Sequence, residues 1–232
     1  VPEEFVVQHP DVANPPSFFY LVESILQNKE FVEKHRETFS AMFVRLQKWY
    51  WWLSDSQKGE VRGTFRWRGR NATTTRELNP KTLASGLDDY PRASHPTDSE
   101  RHVDLLCWLT VATRVMAALS KQFDPSQYNK YKKLEESYSF ERLVQLHWDP
   151  EAKIFADWGL HSTSVSLETR VDPKTRQEST ARRVHAPPVN RFVSDAVGYI
   201  TLFPLITRII PPQSEHLKPL LARINNEKVS NY

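Results

Sequence analysis

The chain has one cysteine, Cys107, and six glycines in 232 residues. A single thiol excludes an internal disulfide framework and any zinc site built on several cysteines. So little glycine, against a usual share of about 7%, excludes collagen, glycine-rich disorder and small β-turn repeats. An excess of charge of one sign is also missing. The 31 Lys and Arg face 28 Asp and Glu, a formal net charge of +3, too near balance for a nucleic-acid groove. The longest apolar run, Leu105 to Leu119, carries Arg114 and is short for a bilayer-spanning helix. No basic-plus-apolar leader opens the chain and residue 1 is Val, so the sequence reads as a processed chain or a piece of a longer one. No internal repeat of about 20–50 residues points to a solenoid. Neither metal nor cofactor is expected. His9, His35, His147, His161, His185 and His216 have no metal-ligand spacing, and no glycine-rich phosphate loop or nucleophile elbow occurs.

What is present is aromatic and helical. There are 12 Phe, 8 Tyr and 7 Trp, in a chain 39% hydrophobic and 25% charged, the composition of a globular protein able to bury a core. Phe39, Met42, Phe43, Leu46, Trp49 and Tyr50 recur at steps of three or four, which predicts an amphipathic helix at about 30–54. A shorter helix is predicted at about 17–28. From His102 to Phe123 the chain is apolar nearly all round, as an inner helix packed from several directions would be; Pro125 ends it. Further helices are predicted at about 126–147, 194–210 and 214–226. Residues 55–98 read as a long ordered loop, which in a compact domain points to function. Residues 161–191, with a turn signal at Asp172-Pro173, read as a surface hairpin or flexible excursion.

Three groups of residues could carry chemistry. In the loop Ser85-Gly-Leu-Asp-Asp-Tyr-Pro-Arg-Ala-Ser-His-Pro96 the adjacent carboxylates Asp88 and Asp89 stand near Arg92 and His95. A general acid near neutral pH needs a carboxyl whose ionisation is opposed by burial or by a like charge, and an Asp-Asp pair in an aromatic-lined loop offers both. A solvated turn is the plainer reading. Glu100, Asp104 and Trp108 recur at i, i+4 and i+8, one face of a helix. Thr97-x-x-Glu100 also fits a capping box, but that leaves Asp104 inside an apolar helix, where a carboxylate needs a partner such as Arg66, Arg68 or Arg92, or a bound sugar. Arg66-Trp67-Arg68-Gly69-Arg70 sets a Trp among guanidinium forks that can hold carboxylates or sugar hydroxyls. Structural salt bridges explain these arginines equally well. Trp49, Trp51 and Trp52 read more as core than as a binding platform. Asn71-Ala72-Thr73 is an N-glycosylation acceptor if the chain enters the secretory pathway.

Taken together these stretches resemble glycoside hydrolase family 63. The resemblance rests on Phe65-Arg-Trp-Arg-Gly-Arg70, on Glu77 to Pro96 with its Gly86-Leu-Asp-Asp89, and on Glu100-Arg-His-Val-Asp-Leu-Leu-Cys-Trp108. Pro2 to Val6, Asn14-Pro-Pro16 and Gly198-Tyr-Ile-Thr-Leu-Phe-Pro204 also match. The resemblance implies an all-α fold, part of one (α/α)6 barrel catalytic domain spanning 1–232, with a flexible or hairpin insertion near 161–191. It implies inverting hydrolysis of the terminal α-1,2-linked glucose of the triglucosylated N-glycan precursor, in the endoplasmic reticulum lumen. It makes Asp88 the general acid. Arg66, Trp67, Arg68, Asp89, Arg92, Glu100, Asp104 and Trp108 are then expected at the oligosaccharide, and a glycan on Asn71 becomes plausible. The family's general base is a Glu beyond a Trp-Arg-Gly-Pro-Ile-Trp-like stretch that these 232 residues do not contain, and its β-rich region and membrane anchor precede the matching part. The chain is expected to carry the acid half of the mechanism and, alone, need not turn over substrate. The alternative is a non-catalytic helical module that binds carbohydrate or a partner. A trehalase-like glycosidase fits the central motifs less well.

Overall fold

The computed structural model describes residues 9–226; the matching stretch Pro2 to Val6 lies outside them. Among these residues the chain forms eight α-helices and six strands. The helices are α1 (Ser17–Ile25), α2 (Lys29–Lys34), α3 (Arg36–Ser56), α4 (Val103–Phe123), α5 (Pro125–Ser137), α6 (Phe140–His147), α7 (Tyr199–Ile206) and α8 (Leu217–Ile224).

Helix α4 is the hub, with α1, α3, α5, α6 and α7 packed around it. It is long and apolar enough to cross a membrane, yet 83% of its most apolar window is buried inside the protein. Its apolar residues therefore serve as core on nearly all sides, as the sequence predicts. The backbone changes direction at Asp124, and Pro125 opens α5 at a position where its missing N–H costs nothing. The antiparallel pair α4–α5 follows. Helix α3 packs Phe39, Phe43, Leu46, Tyr50 and Leu53 inward, and the Tyr50 hydroxyl meets Thr113 Oγ1 of α4 at 2.9 Å. Trp49 stacks on Phe19, and Trp51 stacks on Tyr131 beneath the ammonium of Lys130. Two of the three clustered tryptophans are thus packing groups; the half-exposed Trp52 donates to the Pro10 carbonyl.

Local chemistry divides two helices predicted as continuous. The stretch 30–54 breaks at His35 between α2 and α3. The stretch 126–147 breaks after Tyr138, because the Ser139 side chain accepts from the Arg142 N–H and starts α6 afresh. The helix predicted at 194–210 is shorter, since Ser194 to Gly198 form a connecting loop.

The all-α expectation is too narrow. Strands β1 (Trp148–Asp149) and β2 (Ile154–Phe155) form a tight hairpin. Beyond it a long arm rises and returns. Strand β3 (Asp157–His161) pairs antiparallel with β6 (Val189–Val193), Asp157 opposite Val193. Strand β4 (Val165–Val171) pairs with β5 (Glu178–Val184), Val165 opposite Val184. The excursion predicted over 161–191 is this arm. The turn signal at its tip holds: Asp172 Oδ1 accepts from the N–H groups of Lys174 and Thr175 at 2.7 and 3.0 Å. The free side of β3 is not bare. The N–H of His95 donates to the Leu160 carbonyl, and Arg101 and Trp158 exchange backbone hydrogen bonds in both directions. This stitches the loop carrying Asp88 and Asp89 to the arm.

Candidate active site

The loop that carries the paired aspartates is built as a hairpin of backbone with a closed neck. A short 3-10 turn at Leu83–Ser85 ends at Gly86, whose φ of 69° lies in the left-handed region that glycine adopts without strain. The Thr82 N–H donates to the Asp88 carbonyl at 3.1 Å, and Ser85 Oγ accepts from the Leu87 N–H. Asp88 and Asp89 consequently stand at the apex, exposed. They line one wall of a cavity of about 450 Å³ with Leu87, Tyr90 and Pro91. The opposite wall is Val197, Gly198, Tyr199 and Leu202 around the start of α7, with Ile224 of α8. Gly198 is required there: a Cβ would stand 2.9 Å from Cε2 of Tyr90. The site is a mostly apolar cleft with two carboxylates on one side and the exposed Tyr199 ring on the other. Lys81 Nζ lies 3.9 Å from Asp89 at the surface.

The other expected site residues are not in that cleft. Asp104, Arg92, Trp67 and Glu100 are all essentially fully buried. Arg92 holds Asp104 with both terminal nitrogens and reaches Asp157 at 2.8 Å with one of them. Trp67 Nε1 donates to Asp104 at 3.0 Å. Burial pushes the Asp104 carboxyl up, but the adjoining Arg92 guanidinium, with His102 and the Trp67 indole, holds it below its ordinary value. Glu100 pairs with Arg70, and its second oxygen lies 3.8 Å from His102 Nε2. Here too burial opposes ionisation, and His102 and Arg70 more than offset it.

Two expectations about this region are corrected. Glu100 precedes α4, which begins at Val103, so Glu100, Asp104 and Trp108 do not form one helix face. The Thr97–Glu100 capping box is not formed either, for the same reason. The first N–H of α4 is capped from far along the chain, by Asp157 Oδ1 at 2.8 Å from the Val103 N–H. Arg66 bridges to Asp98, and Arg68 donates to the carbonyls of Ser56 and Lys58. Trp108 is half-buried against Phe203 of α7, its indole Nε1 without a hydrogen-bond partner.

Sequence reading missed Asp157 and undervalued Arg70. Asp157 is a lone carboxylate in the apolar stretch Ile154-Phe-Ala-Asp-Trp-Gly-Leu160, and that isolation was the available signal. Arg70 belongs to the recognised Arg-Trp-Arg-Gly-Arg run, which was the available signal. Its guanidinium also donates to the carbonyls of Pro80 and Ala93, at 3.0 and 2.9 Å. Among the described residues, no group of three or more His, Cys, Asp and Glu is placed to hold a metal ion. Asn71 is exposed, and its amide oxygen accepts from both the N–H and the hydroxyl of Thr73, each at 2.9 Å.

Residues 1–232 match the glycosyl hydrolase family 63 C-terminal domain. A mannosyl-oligosaccharide glucosidase of Arabidopsis thaliana is 37% identical over 99% of this chain and 28% of its own length. An alpha-glucosidase 2 of the same plant is 34% identical over 99% of this chain and 31% of its own length. A probable mannosyl-oligosaccharide glucosidase of Schizosaccharomyces pombe is 28% identical, covering 98% of this chain and 29% of the relative. The chain therefore spans about a third or less of the length of these relatives. On the motifs, the paired-aspartate cleft and a family match over all 232 residues, this chain belongs to glycosyl hydrolase family 63.

Proposed function

We propose that this chain is the acid-bearing part of a glucosidase catalytic domain that trims terminal α-1,2-linked glucose from the triglucosylated N-glycan precursor. The observation that carries it is the position of Asp88 and Asp89 in the wall of an apolar cleft faced by Tyr199. Such a cleft suits a sugar, whose C–H faces pack on apolar and aromatic surface while its oxygens meet carboxylates.

In this reading Asp88 gives its proton to the glycosidic oxygen as the bond from that oxygen to the glucose C1 breaks. Water adds to C1 from the opposite face and loses its proton to a second carboxylate, about 6.5–9.5 Å from the first in an inverting enzyme. That base comes from a longer parent chain, within a complete (α/α)6 barrel of which residues 1–232 are one part. The exposed Ile206 on α7 and Leu221 on α8 support an apolar surface that such a barrel would cover. Asp89, which lines the same cleft, is the residue best placed to touch substrate beside the acid; Trp108 packs on Phe203 outside it. Arg66, Trp67, Arg68, Arg92, Glu100 and Asp104 act by holding the loops in place. The setting is the endoplasmic reticulum lumen, with a membrane anchor on the parent chain and a glycan on the exposed Asn71.

The test is glucose release from a triglucosylated oligosaccharide by the full-length protein. Asp88→Asn is expected to lower kcat by about 10²–10⁴-fold, the usual weight of a general acid. An unchanged rate would remove Asp88 from that role. Oligosaccharide binding without any turnover by the full-length protein would favour the non-catalytic reading.

A further inference from the structure

The arm at 157–193 and the loop bearing Asp88 meet at several points, and one side chain of the arm ties the two sides of the loop together. Arg182 lies on β5, half-buried. Its backbone N–H donates to the Thr75 carbonyl at 2.6 Å. Its guanidinium donates from Nε to the Leu78 carbonyl at 3.3 Å and from Nη2 to the Ser94 carbonyl at 2.6 Å. Leu78 and Ser94 lie on the two sides of the loop that carries Asp88 at its apex. Arg70 makes a second tie one step inward, from Pro80 to Ala93. Two guanidinium forks thus hold the neck of the loop, one from each side of it in sequence. Ser94 is fixed further: its N–H donates to His161 Nδ1, and its Oγ accepts from the Ser162 N–H at 2.8 Å.

We propose that Arg182 is a positioning residue, through which the β-arm sets the place of the Asp88 carboxyl in the cleft. This rests on the reading of Asp88 as the acid. A planar fork fixes two carbonyls in direction as well as distance, which a single ammonium does not. A proton donor must meet the glycosidic oxygen within hydrogen-bond reach, and a displacement of about 1 Å from a distant change can cost on the order of 10²-fold in rate. The arm is therefore part of the catalytic apparatus and not a surface ornament.

The experiment compares the full-length enzyme with its Arg182→Met, Arg182→Lys, Arg170→Met and Asp88→Asn variants on two substrates. One is the triglucosylated oligosaccharide. The other is an aryl α-glucoside whose acidic phenol leaves with little protonation. Arg182→Met is expected to lower kcat on the oligosaccharide by about 10- to 100-fold with KM little changed. On the aryl glucoside the loss should shrink to about threefold or less, since a misplaced acid matters less there. Arg170→Met, on the exposed part of the same arm, should behave as wild type. Should Arg182→Met not fold, Arg182→Lys carries the comparison, because it keeps the backbone bond to Thr75. A wild-type kcat for Arg182→Met beside an inactive Asp88→Asn overturns the inference and leaves the acid assignment standing. Equal losses on both substrates also overturn it, marking general structural damage. A fully active Asp88→Asn overturns the acid assignment itself, and this inference with it.

Discussion

Arg92 grips Asp104 in a two-pronged bridge, Nη1 to Oδ1 at 3.1 Å and Nη2 to Oδ2 at 2.7 Å, with both side chains wholly buried. Asp157 takes a further bond from Nη1, and the Trp67 indole satisfies Asp104 from another side. One guanidinium therefore joins the loop after Asp88, the first turn of α4 and strand β3. Removing one member of a buried ion pair costs about 3–5 kcal/mol, and because Arg92 keeps Asp157 as a partner the loss of Asp104 falls at the lower end. Asp104→Ala is expected to lower unfolding free energy by about 3 kcal/mol in urea titration. A change below about 1 kcal/mol would mean that the network is not a structural joint.

Gly159 is where β3 and the loop come closest. A Cβ there would lie 2.7 Å from the Cβ of Ala93 and 3.3 Å from Cγ of Glu100. Neither is the far end of a flexible side chain. Gly159→Ala should destabilise by about 1–3 kcal/mol, readable as a fall in melting temperature. Because Ala93 adjoins Arg92, catalytic rate should fall as well; a variant as stable and active as wild type would show that the two segments separate freely.

Acid should destabilise the fold, in part through His147. Burial holds its imidazole down to about 4, despite the hydrogen bond between its Nδ1 and the Ala156 carbonyl. The unfolded chain takes up that proton near pH 6.5 and the folded chain does not, so stability is lost as pH falls from about 6.5 towards 4. Between pH 7 and 5 this amounts to about 2 kcal/mol. The depressed carboxyls of Glu100 and Asp104 act in the same direction at lower pH, their contribution vanishing as pH falls through their folded values. His147→Gln should flatten the stability profile between pH 7 and 5; an unaltered slope would assign the effect elsewhere.

Cys107 lies wholly inside α4, and burial pushes its thiol up, outweighing the hydrogen bond with Thr207. A protonated, inaccessible thiol is a poor nucleophile. Reaction with a thiol reagent should be slow in native protein and rapid in denaturant. Rapid labelling of the native form would show that α4 opens.

Much of the fold is legible in the sequence because its signals are local. The apolar stripe of α3 and the all-round apolar character of α4 follow from spacing along a helix, and Asp172-Pro173 marks the tip of the arm through its own turn hydrogen bonds. The apex at Gly86-Leu-Asp-Asp89 also follows from short-range chemistry. Helix breaks are less legible: Ser139 reads as an ordinary polar residue until its side chain is seen to cap α6.

What the sequence determined by itself is therefore the main helical segments, the hairpin excursion, the family, and the paired aspartates as candidates for acid chemistry. Only the tertiary structure decided which polar residues are buried joints and which face a cleft. Arg92, Glu100 and Asp104 look like site residues in the sequence, and the fold buries them in ion pairs. Asp157 and Arg182 belong to no recognised motif, yet one caps α4 and the other closes the neck of the loop. The reason is physical. A charged side chain's role depends on the dielectric around it and on partners that chain spacing does not encode. The cleft itself joins Asp88 to Ile224, and no local pattern relates residues so far apart.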